Sequence, residues 1–434
     1  MLRIRIAVLG VVMLGLVVGV SRADLKGYVQ RADPVFKWTK GQVTSGRLGT
    51  VTDIALTSQK WQGIVWRHTL RVYQPKTVEY PHVGLLFITG GHNGGKPSPS
   101  DDLLGSMLAS RVKMTVAVLH QVPNQPLYNG LTEDGLIAYT FVKYLDGGND
   151  DWPLLLPMAK SAVRAMDALQ AYAKAEHLPA LKRFIVTGAS KRGWTTWLTA
   201  ASGDPRVAAI APMVIDTLNM AAQMPHQLEM WGKYSVQIED YTRNGIQQRM
   251  DTPRGKQLLA LVDPYSYRKT LTLPKLLING TNDPYWVQDA LNLYWDGLPG
   301  PKWVMYAPNS GHGLDDRTRA MNALIGFSRA IAAKTLLPKQ SWRYEPTPNG
   351  VRLIVKTPGQ VLESRLWVAH ADKLDFRASK WTERPVKRTR RGFEVEIARP
   401  KTGNLAVYGE AQYQVAGVKT PLSTQIRILR AGKQ

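Results

Sequence analysis

The chain has 434 residues, of which 44% are hydrophobic; it has no cysteine and a formal net charge of +23. This length suits two or three domains with sizeable cores, and the lack of cysteine excludes disulfides, thiolate metal sites and a cysteine nucleophile. The excess of basic residues either serves solubility alone or favours an anionic membrane or polyanion as a partner, and no recognition motif points to nucleic acid.

Residues 1–23 have the three parts of an export signal. A basic start is followed by an apolar run over residues 6–20 and by small residues that end at Ala23. The run is shorter than a membrane-spanning helix requires, so we predict a signal peptide that is cleaved after Ala23. The protein is therefore expected in the periplasm or outside the cell, where the remaining chain would carry a charge of +20.

The first strand that the pattern predicts is Ile64–Tyr73, which follows a polar, turn-rich segment. The continuous apolar run Val83–Thr89 then predicts a central parallel strand that leads into a glycine-rich loop. In α/β-hydrolases the loop after this strand donates an N–H group to the oxyanion hole, so Gly91 and His92 are candidates for that role. A flexible surface turn is the alternative interpretation.

A second strand-like run, which begins at Phe184, is followed by a turn that contains Ser190 and by a helical pattern over Trp194–Ala201. Strand, serine-bearing turn and helix are the context of the nucleophile elbow. The Lys191 N–H group at the start of the helix is the other candidate donor to an oxyanion. The alternative is an ordinary turn in which the serine only caps the helix.

The elbow departs from the usual Gly-x-Ser-x-Gly spacing. Arg192 stands where the second glycine is expected, and Gly193 comes one residue later. A long side chain at this position must leave the turn in one of two directions. It could point to the catalytic face, or it could turn inward and pair with a buried carboxylate, and we favour the inward direction because Arg suits fixed bidentate pairs.

Two further segments complete the predicted organisation. Residues 217–270 hold helices rich in aromatic residues and are predicted to form an insertion or lid over the sheet of an α/β-hydrolase domain, residues 24–337. Residues 341–434 show short alternating strands and are predicted to form a β-sandwich. They hold 18 Lys and Arg against 8 Asp and Glu, most densely over residues 384–391, which suits either a solvated hairpin or a polyanion contact.

Three residues at the ends of predicted strands have the types and the order of a catalytic triad. Ser190, Asp283 and His312 follow the Ser…Asp…His order of α/β-hydrolases. A nucleophilic serine needs an imidazole to accept its proton, and the imidazole needs a carboxylate to orient it. Asp216, also at a strand end, is the alternative acid, and His92 is a weaker alternative base. The scattered histidines and the lack of a His-Glu-x-x-His motif argue against a metal, and no cofactor is expected.

Several segments together resemble one family, the PhoPQ-activated pathogenicity-related (PqaA type) proteins. The resemblance lies in these stretches: Leu56–Trp61, Gly90–Asn93, Pro123–Leu127, Glu133–Asp134, Ala138–Thr140, Gly188–Trp194 and Asn282–Asp283. It implies an α/β-hydrolase domain with a C-terminal β-domain in exported proteins, and induction in some bacteria by a system that senses low magnesium and cationic peptides. A eukaryotic relative is similar to a secreted growth-repressing signal. The elbow also resembles the Gly-Cys-Ser-Arg-x-Gly segment of glucuronoyl esterases.

We therefore predict a secreted serine hydrolase that cleaves an ester or peptide bond in a small molecule, a glycan ester or a peptide. Ser190 would be the nucleophile, His312 the base and Asp283 the orienting acid. The alternative is a secreted signalling or surface-binding protein that keeps the hydrolase fold with little turnover.

Overall fold

The computed structural model describes residues 24–359 and 361–432. The predicted signal peptide, residues 1–23, lies outside this part of the chain. Within the described residues, no helix combines the length and the apolar character that crossing a membrane requires.

The strands alternate with helices from β4 onward and follow one another directly after α10. In chain order they are β1 (Lys37–Ser45), β2 (Gly49–Trp61), β3 (Ile64–Pro75), β4 (Val83–Ile88), β5 (Thr115–Leu119), β6 (Arg183–Ala189), β7 (Val207–Met213), β8 (Lys275–Gly280), β9 (Lys302–Ala307), β10 (Ser341–Thr347), β11 (Gly350–Lys356), β12 (Val361–Ala371), β13 (Thr382–Arg384), β14 (Lys387–Thr389), β15 (Gly392–Ala398), β16 (Asn404–Val415), β17 (Val418–Ser423) and β18 (Arg427–Arg430).

The α-helices precede or connect these strands. They are α1 (Leu25–Gln30), α2 (Pro99–Val112), α3 (Glu133–Leu145), α4 (Leu155–Ala175), α5 (Lys191–Ala201), α6 (Met220–Trp231), α7 (Glu239–Arg243), α8 (Ile246–Arg249), α9 (Pro253–Val262) and α10 (Arg317–Ala332), with short 3-10 turns at Val236–Ile238, Pro264–Thr270 and Ala290–Leu293.

In the described part of the chain, fourteen strands form one mixed sheet. Its central strands run in the order β2-β3-β5-β4-β6-β7-β8-β9, and all neighbours from β5 to β9 are parallel. Parallel strands need a crossover between them, and helices supply it here, so both faces of the sheet are covered. This arrangement is the α/β-hydrolase fold that the sequence predicts.

Successive side chains of the central strands enter two different cores. On β6, Phe184 and Val186 pack into the core shared with α4 and α5, whereas Ile185 packs into the core shared with α2 and α10. Side chains of a strand alternate between its two faces, so a run that is buried on both faces must be apolar throughout. The sheet therefore holds the carboxyl ends of β6, β8 and β9 rigidly at one edge.

The C-terminal strands form a sandwich that is continuous with the hydrolase sheet. β17 joins β9 at the sheet edge, next to β16 and β12, while β10, β11, β15 and β14 form a second sheet. The two sheets face each other closely, because a Cβ added at Gly409 would lie 3.0 Å from the side chains of Leu353 and Phe393. The guanidinium of Arg319 on α10 also donates to both carboxylate oxygens of the buried Glu410 on β16, each at 2.7 Å.

The basic segment, residues 384–391, crosses from one sheet to the other. It begins in β13, which pairs with β12, and continues in β14, which pairs with β15. Lys387, Arg388, Arg390 and Arg391 are all exposed. The segment is therefore exposed, but it connects two sheets and is not the hairpin that one interpretation of the sequence predicted; its exposure leaves a polyanion contact as a prediction.

Candidate active site

Ser190 lies at a sharp turn between β6 and the first residue of α5. Its backbone has φ 57° and ψ −126°, a conformation that a residue with a side chain adopts only under constraint. The glycine that the turn needs is Gly193, since a Cβ there would lie 2.7 Å from the Ile215 side chain on the loop after β7. This close approach falls one residue later than in the usual motif, which explains why Arg192 is tolerated.

Three side chains from different strand ends form one hydrogen-bonded row. Ser190 Oγ lies 2.8 Å from His312 Nε2, and His312 Nδ1 lies 2.8 Å from Asp283 Oδ2. Asp283 follows β8 and His312 follows β9, so the parallel sheet brings them to the edge where β6 ends. A hydroxyl, an imidazole and a carboxylate in this arrangement can transfer the serine proton to the imidazole.

Asp216, the alternative acid, has a different partner. Its carboxylate accepts a hydrogen bond from the Tyr294 hydroxyl, and it is fully buried. Burial raises the pKa of Asp216 to about 7. A carboxyl that is half protonated near neutral pH is poorly suited to stabilise an imidazolium ion.

Tyr285 supports both partners of Ser190. Its N–H group donates to Asp283 Oδ1 at 2.9 Å, and its ring centroid lies 4.2 Å from that of the His312 imidazole. The carboxylate is thus held by a backbone hydrogen bond, and the imidazole is covered by an aromatic ring. Both contacts restrict the geometry of the row.

Lys191 is paired beside Ser190. Its Nζ lies 2.6 Å from Asp134 Oδ2 and over the Tyr285 ring, while Asp134 Oδ1 accepts the Tyr241 hydroxyl at 3.0 Å. Burial lowers the pKa of the Lys191 ammonium, but Asp134 outweighs that effect and the pKa lies above its ordinary value. The Lys191 N–H group lies in the first turn of α5, next to Ser190, where a backbone N–H group has no partner within the helix.

Arg192 turns inward and pairs with a carboxylate. Its Nη1 and Nη2 atoms each lie 2.7 Å from an oxygen of Glu133, and its Nε donates to the Val122 carbonyl at 2.6 Å. Burial raises the pKa of the Glu133 carboxyl, but the hydrogen bonds and charge of Arg192 outweigh it and hold the pKa at about 2. The guanidinium therefore braces the elbow from within.

The same contacts connect the elbow to the glycine-rich loop. The Gln125 side chain donates to Glu133 Oε1 at 2.7 Å and to the Gly91 carbonyl at 3.2 Å. A Cβ at Gly90 would collide with the Arg192 guanidinium, so the loop must have a glycine there. Gly91 has φ 125°, and His92 is exposed. The loop that carries these two predicted oxyanion residues is thus fixed to the elbow through Glu133.

A cavity of about 290 Å³ opens beside Ser190. Helices of the insertion, residues 217–270, form much of its wall, and apolar side chains dominate it. They include Met220, Met224 and Leu228 of α6, and Met250. The nucleophile candidate is therefore reached beneath the predicted lid.

Sequence reasoning did not assign roles to Glu133, Asp134, Gln125 or Tyr285. The sequence did indicate that the first two residues have a role. Lys191 and Arg192 are adjacent cations, and cations that are buried require carboxylate partners. Glu133–Asp134 is also one of the stretches in which the chain resembles the family. Tyr285 had no such signal, since its role depends on packing. Within residues 24–359 and 361–432, no cluster of three or more His, Cys, Asp or Glu residues could hold a metal ion.

One relative of known sequence and several solved structures are similar to this chain. Autocrine proliferation repressor protein A of Dictyostelium discoideum is 30% identical to this chain over an alignment of 441 positions. The alignment covers 93% of this chain and 88% of that protein. Among solved structures, an acetyl xylan esterase from Paenibacillus sp. R4 is 16% identical with a TM-score of 0.45, over 69% of this chain and 91% of the esterase. An S-formylglutathione hydrolase from Agrobacterium tumefaciens is 14% identical with a TM-score of 0.41, over 68% of this chain and 96% of the other.

The family model described as PhoPQ-activated pathogenicity-related protein matches residues 25–377, which contain the elbow, Asp283, His312 and the Glu133–Asp134 pair. The match spans strands β1 to β12 and the insertion. The chain belongs to the PhoPQ-activated pathogenicity-related protein family.

Proposed function

We propose that this chain is an exported serine hydrolase that cleaves an ester or peptide bond through Ser190, His312 and Asp283. The observation that carries the proposal is the row of two 2.8 Å contacts from Ser190 Oγ to His312 and from His312 to Asp283. The strained backbone of Ser190 supports it, because strain of this kind persists where a side chain must be presented in a fixed position.

In the proposed reaction, Ser190 Oγ attacks the carbonyl carbon of the substrate while His312 Nε2 accepts the hydroxyl proton. Asp283 stabilises the imidazolium ion that forms. His312 then gives its proton to the leaving alcohol or amine, and an acyl-enzyme remains on Ser190. Water, activated by His312, attacks this acyl group, which leaves as the acid and restores the serine.

The negative charge on the tetrahedral intermediate needs donors that are already in place. We assign one to the N–H group of Lys191, at the positive end of α5, and the other to the loop at Gly91 and His92. The connection through Arg192, Glu133 and Gln125 supports this assignment, since it fixes the loop relative to the elbow. Loss of one such donor typically lowers kcat by about 10² to 10³.

A serine-directed fluorophosphonate probe tests the proposal. We expect the purified chain to be labelled and Ser190→Ala to lose all labelling while it keeps its circular dichroism spectrum. Ser266→Ala is the matched control, because Ser266 is an exposed serine that does not line the cavity beside Ser190. Stoichiometric labelling of Ser190→Ala would mean that another residue is the nucleophile.

A second candidate is a secreted signal with little turnover. The name of the Dictyostelium relative, a proliferation repressor, favours this candidate. The two candidates differ in the probe experiment, because a protein without turnover chemistry would leave the probe unreacted even with Ser190 present.

A further inference from the structure

The wall of the cavity beside Ser190 is mostly apolar and combines methionine and aliphatic side chains with six aromatic rings: Phe141, Trp194, Tyr234, Tyr241, Tyr285 and Trp286. α6 contributes Met220, Met224 and Leu228, and the following segment contributes Ile238, Ile246 and Met250. Methionine has an unbranched, polarizable side chain that adapts to the shape of its partner. Such a wall suits an apolar group, and its methionines can adapt to the shape of a hydrocarbon chain.

The charged side chains that line the cavity offer no unpaired charge next to Ser190. Lys191 and Asp134 are paired with each other at 2.6 Å, and Tyr241 donates to the same carboxylate. Asp251 also lines the cavity, but it is exposed to solvent at the rim. A substrate with a charged group next to its scissile bond would therefore have to break an existing ion pair, which is costly in a partly buried site.

From these two observations we infer the substrate class, an inference that rests on the proposed hydrolase function. The geometry points to neutral esters that carry an unbranched apolar chain of about six to ten carbons, on the acyl or the alkyl side. A medium length is chosen because the cavity, at about 290 Å³, lies near the lower end of the volumes of small-molecule pockets, about 300 to 1,000 Å³. Burial of each methylene contributes about a fourfold gain in binding to the transition state.

The first experiment measures kcat/KM for two ester series. One series consists of p-nitrophenyl esters from acetate to dodecanoate, and the other of acetate esters of alkanols of the same lengths. We expect kcat/KM to rise about fourfold per methylene in at least one series and to stop rising at about eight carbons. The series that responds shows whether the chain is acyl or alkyl. Turnover of acetate esters with no gain from longer chains in either series would overturn the inference.

The second experiment measures the activity of variants that fill the cavity. Met224→Trp on α6 and Met250→Trp, directly after α8, each replace a methionine of the cavity wall with a bulky ring. We expect either variant to lower kcat/KM on octanoate esters at least tenfold and to leave acetate esters within about twofold. Met107→Trp is the matched control, because Met107 is an exposed methionine on α2 that does not line this cavity. Equal losses on both esters, in variants that melt like the parent chain, would contradict the inference.

A binding measurement separates this inference from the proposed function. Ser190→Ala should bind p-nitrophenyl octanoate without hydrolysing it and bind the acetate ester at least tenfold more weakly. If the parent chain hydrolyses no ester while Ser190→Ala still shows this preference, the proposed function fails and the apolar binding site stands. If Ser190→Ala binds neither ester and the parent chain hydrolyses acetate, the binding site fails and the function stands.

Discussion

At the residue scale, the two aspartates that end β7 and β8 differ in the partner that each one meets. Asp283 faces His312, with Tyr285 donating to its second oxygen. Asp216 faces the Tyr294 hydroxyl, and burial brings its pKa to about 7. The sequence placed both residues at strand ends and favoured Asp283, but it left Asp216 as the alternative because the choice depends on which loop turns toward the imidazole.

We expect Asp283→Asn to lower kcat on an ester substrate by about 10⁴, because the imidazolium ion loses its carboxylate and its orientation. Asp216→Asn is the matched control. Asparagine resembles the protonated carboxyl that is already half populated near pH 7, so the loss should be far smaller. A severe loss at Asp216→Asn together with a mild one at Asp283→Asn would reverse the assignment of the acid.

At the element scale, the α5 helix begins at Lys191, whereas the apolar pattern alone predicts a start at Trp194. The first turn holds two cations and a glycine, so it has no apolar periodicity to reveal it. Glu133 and Asp134 at the start of α3 neutralise these cations in the folded chain. Only the tertiary structure brings α3 and α5 together, which is why the elbow and an inward, paired Arg192 could be predicted but its partner Glu133 could not.

The ion pair between Arg192 and Glu133 should make the stability of the fold depend on pH in the acid range. The folded pKa of Glu133, about 2, lies below its ordinary value of 4.5, so the pair stabilises the fold above about pH 4.5. That stabilisation is lost as the pH falls from about 4.5 toward 2. Glu133→Gln should therefore melt at a lower temperature than the parent chain at pH 7, and the difference should shrink across this window.

Glu396→Gln is the control for that measurement. Glu396 pairs with Arg352 on the exposed sandwich surface, where water screens an ion pair and leaves it little effect on stability. Its substitution should change the melting temperature little at any of these pH values. A Glu133→Gln variant that behaves like Glu396→Gln would show that the brace does not stabilise the elbow.

At the scale of the whole molecule, the central sheet follows from the sequence because β4, β6 and β8 are apolar runs between helical patterns. β1, which pairs with β2 ahead of the first predicted strand, escaped prediction because nearly all of its residues are exposed. The sandwich was predicted as a separate β-domain. Its union with the hydrolase sheet through β17 and β9 could not be inferred, since a single residue pair, Ser423 with Val304, makes the junction.

The basic residues of the sandwich are densest at the exposed basic segment, residues 384–391, which has five Lys and Arg residues and no acidic residue. We propose that this segment binds anionic vesicles or polyanions, and that the binding weakens as salt shortens the screening length to below about 10 Å. Changing four of its five exposed cations to Gln should remove most of the binding in a co-sedimentation assay; the four are Lys387, Arg388, Arg390 and Arg391.

The matched control removes the same charge from exposed positions elsewhere, namely Lys26, Lys37, Lys76 and Lys96. This variant should keep most of the binding, because the remaining cations stay clustered. Equal losses in both variants would leave net charge alone as the cause, and salt-independent binding would contradict an electrostatic contact.

The central claim, that Ser190 forms the covalent intermediate, is tested most directly by mapping the fluorophosphonate adduct. Trypsin cleaves after Arg183 and Lys191, so Ser190 lies in the peptide Phe184–Lys191, which contains Thr187 as its other hydroxyl residue. The account predicts that tandem mass spectrometry finds the phosphonate on Ser190 of this peptide, with fluoride lost, and on no peptide when His312→Ala is treated in the same way. An adduct on a different peptide, or an unmodified Phe184–Lys191 in a chain that hydrolyses esters, would contradict it.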